Sequence, residues 1–211
     1  GNIFVTGFFL ADSLILGSDT FLFVGTYDVF VAKFDNTGNP IWARSEGTTG
    51  DDRGTAITTD QSGNVIIGGV FRSGPFAYGT YILTYEGGAY SDIFLAKYDT
   101  SGNLQWAKDE GGTYLDEPKD LGTDQLGNIY MAAMVYSDTI VIGNDTLLNS
   151  GIVAYCDVVI AQYNSSGVAQ WANKYGVGTG NDIVNGIAVE PNGDSYITGV
   201  HGPNIVFGSN V

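Results

Sequence analysis

Apolar and polar positions along this chain fall into short blocks rather than helical stripes. Runs such as FVAKF (30–34), FLAKY (94–98), IYMAAMVY (129–136) and DVVIAQY (157–163) are rich in β-branched and aromatic residues. Polar turns of one design bound them: DNTGN (35–39), DQSGN (60–64), DTSGN (99–103), DQLGN (124–128) and EPNGD (190–194). Blocks of this kind predict strands. The turns predict tight reversals, because Asp or Asn bonds its neighbouring backbone and Gly takes the positive φ needed there. FVAKF and FLAKY are apolar on both faces, as in a sheet lying between two others.

The blocks recur in step. Trp42, Trp106 and Trp171 are almost evenly spaced, and Asp28, Asp92 and Asp157 repeat the same steps. The GN pairs begin at Gly1, Gly63 and Gly127, with Gly193-Asp194 in the fourth place. A period held at three separate landmarks marks a tandem array. Its units run approximately 1–62, 63–126 and 127–192, with a partial unit at 193–211. Each unit reads as four strands, A to D. In one of them LGTD (121–124) ends strand A, IYMAAMVY is B, DVVIAQY is C, and VAQWANKYG (168–176) is D. The expected fold is all-β: a β-propeller built of four-stranded antiparallel blades, about three and a quarter of them, as a segment of a larger propeller.

The pattern D-[IV]-[FV]-[VLI]-A-[KQ]-[FY]-[DN]-x-x-G-N-x-x-W-A, followed by Gly-rich turns and a G-N-x-[YFI]-[VMI] strand, resembles the bacterial SBBP-type β-propeller repeat. The resemblance covers essentially the whole chain. Gln162 stands where the motif has Lys, Val168 where it has Asn, and Asp194 where Asn is usual. The resemblance implies a multi-bladed propeller of large exported or cell-surface bacterial proteins, with no defined activity and no fixed catalytic residues. The chain opens on Gly1 rather than Met, and the expectation is that further blades lie outside this segment. A ring completed by several chains and an open curved array are the alternatives.

Composition narrows the partners. The formal charge is −15, from 8 basic and 23 acidic residues. That disfavours nucleic acid, whose binding needs clustered Lys and Arg, and electrostatic attachment to anionic membranes. The single cysteine, Cys156, excludes an intrachain disulfide. No apolar run approaches the roughly 18 residues of a membrane-spanning helix.

If the strands alternate up and down, the A–B and C–D turns share one face and look purely structural. The B–C and D–A connections share the other, and function is expected there, since binding residues concentrate on loops held by a rigid scaffold. Its D–A loops carry Asp52, Asp116 and Asp182 in register, flanked by Asp51, Glu117 and Asn181. Calcium is the candidate cofactor for these oxygen ligands. The competing reading is that each Asp caps its loop by accepting backbone N–H bonds.

The B–C connection supplies Tyr78, Tyr81, Tyr85 and Tyr90, and the D–A loop GGTYLDEP adds Tyr114 and Glu117. Together these are the candidate ligand-binding residues, suited to a protein or carbohydrate partner at a cell surface. The alternative is an extra hairpin whose alternate members pack inward. Gly17, Gly79, Gly143 and Gly208, each after a short apolar run, favour such a recurring ribbon. The tryptophans read as packing between blades, and Cys156 as a small buried hydrophobe. His201, the only histidine, offers no catalytic set.

The expectation is therefore a non-catalytic extracellular scaffold, adhesion or recognition module of a larger bacterial surface or secreted protein. A polysaccharide-acting propeller enzyme, using carboxylates among Asp52, Asp116, Glu117 and Asp182, is the alternative from another class. A third is a self-assembling subunit completed by β-augmentation at open edges, residues 1–7 and 193–207.

Overall fold

The computed structural model describes residues 1–10, 12–86, 88–149, 155–176 and 180–203, and among them every regular element is a strand. In chain order these are β1 (Ile3–Phe9), β2 (Ser13–Leu16), β3 (Asp19–Leu22), β4 (Asp28–Phe34), β5 (Pro40–Glu46), β6 (Arg53–Thr59) and β7 (Val65–Phe71). Then come β8 (Phe76–Tyr78), β9 (Tyr81–Leu83), β10 (Asp92–Tyr98), β11 (Leu104–Glu110), β12 (Asp116–Thr123) and β13 (Ile129–Val135). The remainder are β14 (Thr139–Ile142), β15 (Asp145–Leu148), β16 (Asp157–Tyr163), β17 (Ala169–Tyr175), β18 (Ile183–Val189) and β19 (Ser195–Val200).

These strands form successive antiparallel sheets. Two have four strands, β6-β7-β10-β11 and β12-β13-β16-β17. A three-stranded sheet β1-β4-β5 precedes them and β18-β19 follows. The A–B and C–D turns close as expected: Asp60, Asp99 and Asp124 each accept N–H bonds from residues two and four positions on. The glycines that end these turns, Gly63, Gly102 and Gly127, all have φ of 79°.

Alternation assigns each strand's side chains to two cores. From β10, Phe94, Ala96 and Tyr98 join Val29, Val31 and Trp42 of the preceding sheet. Ile93 and Leu95 join Ile129, Met131, Val159 and Ala161 of the next. A third layer sets Tyr130, Ala132, Val158 and Ile160 against Val184 and Ile187. β7 and β10 are buried along their full length, which is why their sequences are apolar on both faces. The A strands lie side by side: Thr55 Oγ1 donates to the Pro118 carbonyl (2.8 Å), Thr123 Oγ1 to Thr59 (2.8 Å), and Ile187 N to Asp120 Oδ2 (2.8 Å).

On the turn face each sheet grips the next. Lys33 Nζ and Trp42 Nε1 both donate to the Thr100 carbonyl, at 2.9 and 3.1 Å. One unit on, Lys97 and Trp106 do the same to Ser165, at 3.1 and 3.3 Å. The turn glycines make room for the rings, since a Cβ on Gly102 would come within 2.7 Å of Trp42 and one on Gly167 within 3.0 Å of Trp106. The repeated Lys and Trp are thus a clamp between sheets. In the third unit Gln162 donates instead to Tyr130 OH at 2.7 Å.

Each B–C connection contains a ribbon: β2-β3, β8-β9 and β14-β15. The ribbon folds back along strand D of its own unit. Its tip glycines, Gly17, Gly79 and Gly143, have φ of 64°, 58° and 61° and sit against Pro40, Leu104 and Ala169, the first residues of the three D strands. Gly208 lies outside the described residues.

Candidate interaction face

The strand-C aspartates and the D–A aspartates, separated along the chain by the whole of strand D, come together in space. Asp28, Asp92 and Asp157 open β4, β10 and β16, and each carboxylate lies against a glycine at the end of strand D. A Cβ on Gly47, Gly111 or Gly176 would collide with it. Asp52, Asp116 and Asp182 stand beside them at the start of strand A, and all six are buried. The pattern is legible afterwards as a repeated trio: Asp28, Gly47 and Asp52, then Asp92, Gly111 and Asp116, then Asp157, Gly176 and Asp182. In the sequence the strand-opening aspartates stand out only as landmarks of the period.

The D–A aspartates tie three segments of chain. The backbone N–H groups of Asp52, Asp116 and Asp182 each donate at 2.9 Å to the residue before the strand-C aspartate: Tyr27, Ser91 and Cys156. Their carboxylates accept from the segment that follows strand B of the next sheet. Asp52 takes Arg72 N there, and also Thr48 N and Thr48 Oγ1 (2.7 Å) from its own loop. Asp116 takes Ser137 Oγ (2.7 Å), Ser137 N and Tyr136 N (both 3.2 Å), and Asp182 takes Gly202 N (2.9 Å). This is loop capping, and it places the carboxylates inside the protein rather than on a loop surface. Asp116 is in fact the first residue of β12. Among the described residues no three or more His, Cys, Asp or Glu side chains converge as metal ligands.

Burial is the main influence on the titration of Asp28, Asp52 and Asp116. It raises Asp28 despite a bond from Val24 N, and raises Asp52 despite Thr48. It lifts Asp116 to about 7, against the Ser137 bonds that lower it, with the charge of Asp92 adding to the rise.

Above the second pair the loop face opens into a cleft of about 390 Å³ between the second and third sheets. Glu86, Asp92, Asp109, Glu110 and Asp138 line it, together with threonines and Val141. These carboxylates come from the exit of the ribbon β8-β9, the start of β10, the end of β11 and the entry to β14. Glu110 pairs with Lys108 at 2.7 Å, and burial raises its carboxyl.

The tyrosines separate. Tyr78 is fully enclosed by Phe76, Phe94 and Tyr98, and its hydroxyl accepts from Tyr98 OH at 2.9 Å. That is the inward packing of a ribbon, and it puts Tyr78 out of a ligand's reach. Tyr81 leaves the loop face altogether. The ribbon carries it to the start of β11, where its hydroxyl donates to the Gln105 carbonyl at 2.6 Å. Tyr85 packs on Phe71 and donates to the Gly88 and Tyr90 carbonyls, so it braces its own loop. Tyr90 and Tyr114 remain on the loop face as a ring pair 5.2 Å apart, Tyr90 being 45% exposed. Glu117, on β12, pairs with Lys119 at 3.1 Å. Elsewhere, His201 is exposed, with Nδ1 2.6 Å from the Gly202 carbonyl. Cys156 is buried, with Sγ 3.3 Å from the Asp182 carbonyl.

No protein-family model matches the chain. It is similar to regulatory protein FlaEY of Caulobacter vibrioides, at 30% identity over 177 residues, covering 83% of this chain and 18% of that protein. It is also similar to an uncharacterised WD repeat-containing protein, L264, of Acanthamoeba polyphaga mimivirus, at 22% identity over 77% of this chain and 13% of that protein. WD repeats are four-stranded propeller blades. The chain is built of propeller-type blades. It spans less than a fifth of either relative's length. Each unit is a rigid β scaffold that presents loops on one side.

Proposed function

We propose that this chain is a non-catalytic protein-interaction module of a larger bacterial surface or secreted protein, and that it recognises a cationic segment of a partner on its loop face. The observation that carries the reading is the acid-lined cleft beside the Tyr90–Tyr114 pair. Its walls belong to sheets whose central strands are largely buried, so the carboxylates are pre-positioned and little ordering cost attends binding. The exposed ring pair supplies apolar contact area at low entropic cost. A catalytic reading lacks such support. Asp116, the carboxyl held near neutrality, is fully buried, where a substrate cannot touch it.

The test is titration of the chain with a Lys/Arg-rich peptide by calorimetry at two ionic strengths. Binding should weaken in high salt. It should fall about tenfold, about 1.4 kcal/mol, in the double variant Asp109→Asn, Asp138→Asn. Binding equal in wild type and variant would reject the cleft. Fractionation of the parent organism's cells tests the proposed location.

A further inference from the structure

The turn face, which the sequence marks as purely structural, carries a second recessed surface. Two hollows of about 300 and 560 Å³ lie there between the second and third sheets and share Asn64, Lys97 and Ser165, so they run together as one groove. Two partly exposed aromatic rings, Tyr81 and Trp106, line the larger hollow. Around them stand the amides of Asn64 and Gln105 and the exposed hydroxyls of Ser165 and Ser166. Its volume falls within the roughly 300–1,000 Å³ of ordinary small-ligand sites.

We infer that this groove is a binding site for a neutral saccharide. The rings are fixed before any ligand arrives. Tyr81 is tied through its hydroxyl to the Gln105 carbonyl and Trp106 through Nε1 to the Ser165 carbonyl. Ordering them therefore costs a ligand nothing. Aromatic faces receive the apolar C–H face of a sugar ring, while amides and hydroxyls exchange hydrogen bonds with its rim.

Charge decides against an ionic ligand. The groove's cation, Lys97, is engaged by Asp60 at 2.9 Å and by the Ser165 carbonyl. The −15 charge of the chain repels polyanions at longer range. The Tyr81–Gln105 combination belongs to this junction. The corresponding positions are Asp19 and Ile41 in the preceding unit and Asp145 and Gln170 in the following one. One groove per three units is expected, on the face opposite the acidic cleft.

The test is titration of the intact chain with three neutral hexasaccharides: cellohexaose, maltohexaose and chitohexaose. Tryptophan fluorescence and saturation-transfer NMR provide the readouts, with hexagalacturonate as the charged control. At least one neutral sugar should bind and the charged one should not. Tyr81→Ala should weaken binding about tenfold or more. Gln105→Ala, an exposed change on strand D, should do so with an unaltered melting curve. Asp109→Asn, Asp138→Asn should leave sugar binding unchanged, which separates this site from the loop-face cleft. Failure of all three sugars to bind, or binding indifferent to both groove variants, would overturn the inference. So would capture in the groove of an uncharged extended peptide in place of every sugar.

Discussion

The two ends of one blade junction solve the same problem with opposite chemistry. On the turn face, cationic and indole donors (Lys97, Trp106) reach across to a neighbouring carbonyl, and Asp60 balances the lysine charge. On the loop face, buried carboxyls accept N–H and O–H bonds, with Asp116 set beside Asp92. The turn end is charge-compensated. The loop end holds like charges close together in a desolvated place, and its stability must therefore depend on pH. Much of the chain's acidity is thus internal wiring rather than surface charge.

The largest effect should come from breaking the turn-face clamp. Trp106→Ala removes a ring packed between the second and third sheets and its bond to Ser165. The expected loss is about 3 kcal/mol, at the lower end for a large aromatic because the ring is partly exposed. A thermal melt reads it. Breaking the loop-face cap by Asp116→Ala strands the Ser137 hydroxyl proton and N–H in a buried site, whereas Tyr136 N keeps the Leu115 carbonyl, at an expected cost of about 2–3 kcal/mol. Asp116→Asn keeps acceptor and shape and should cost much less.

The same variant sharpens the contrast through pH. The Asp116 carboxyl titrates near 7 in the fold and at about 3.9 in the unfolded chain. A group raised in this way favours the fold when protonated. Its contribution is complete below the unfolded value and is lost as pH rises through about 7. The wild-type melting temperature should therefore fall between about pH 4 and about pH 7 and level off above that, and Asp116→Asn should flatten the slope. A wild-type curve flat across this window would contradict the buried-pair account.

The smallest expected effect is that of chelation. A calcium site saturated at about a hundredfold excess over its Kd would add about 2.7 kcal/mol to stability. Caps satisfied by protein donors predict superimposable melts in calcium and in EGTA. A lowered melt in EGTA would restore Asp52, Asp116 and Asp182 as ligands.

The tyrosines show where sequence reading runs out. F-x-Y-x-x-Y already holds the alternation that buries Phe76 and Tyr78 in a ribbon. The direction in which that ribbon folds is not local information. It depends on Gly79 turning against Leu104, which belongs to β11 and lies beyond the whole of β10 in the chain. That turn moves Tyr81 from one face of the molecule to the other. Similarly, Asp52, Asp116 and Asp182 are in register in the sequence. Their pairing with Asp28, Asp92 and Asp157 needs two sheets to meet.

The repeating features are legible in the amino-acid order alone. Strand length, turn chemistry, the Trp and Lys positions and the four-strand unit follow from alternation and glycine placement among near neighbours. Which faces the side chains occupy follows from how the sheets pack. That packing turns tandem landmarks into clamps and caps, encloses Tyr78, gathers carboxylates from separate strands into one cleft, and opens a groove on the turn face. The physical reason is range: backbone preference acts between neighbours along the chain, whereas burial and charge act between neighbours in space.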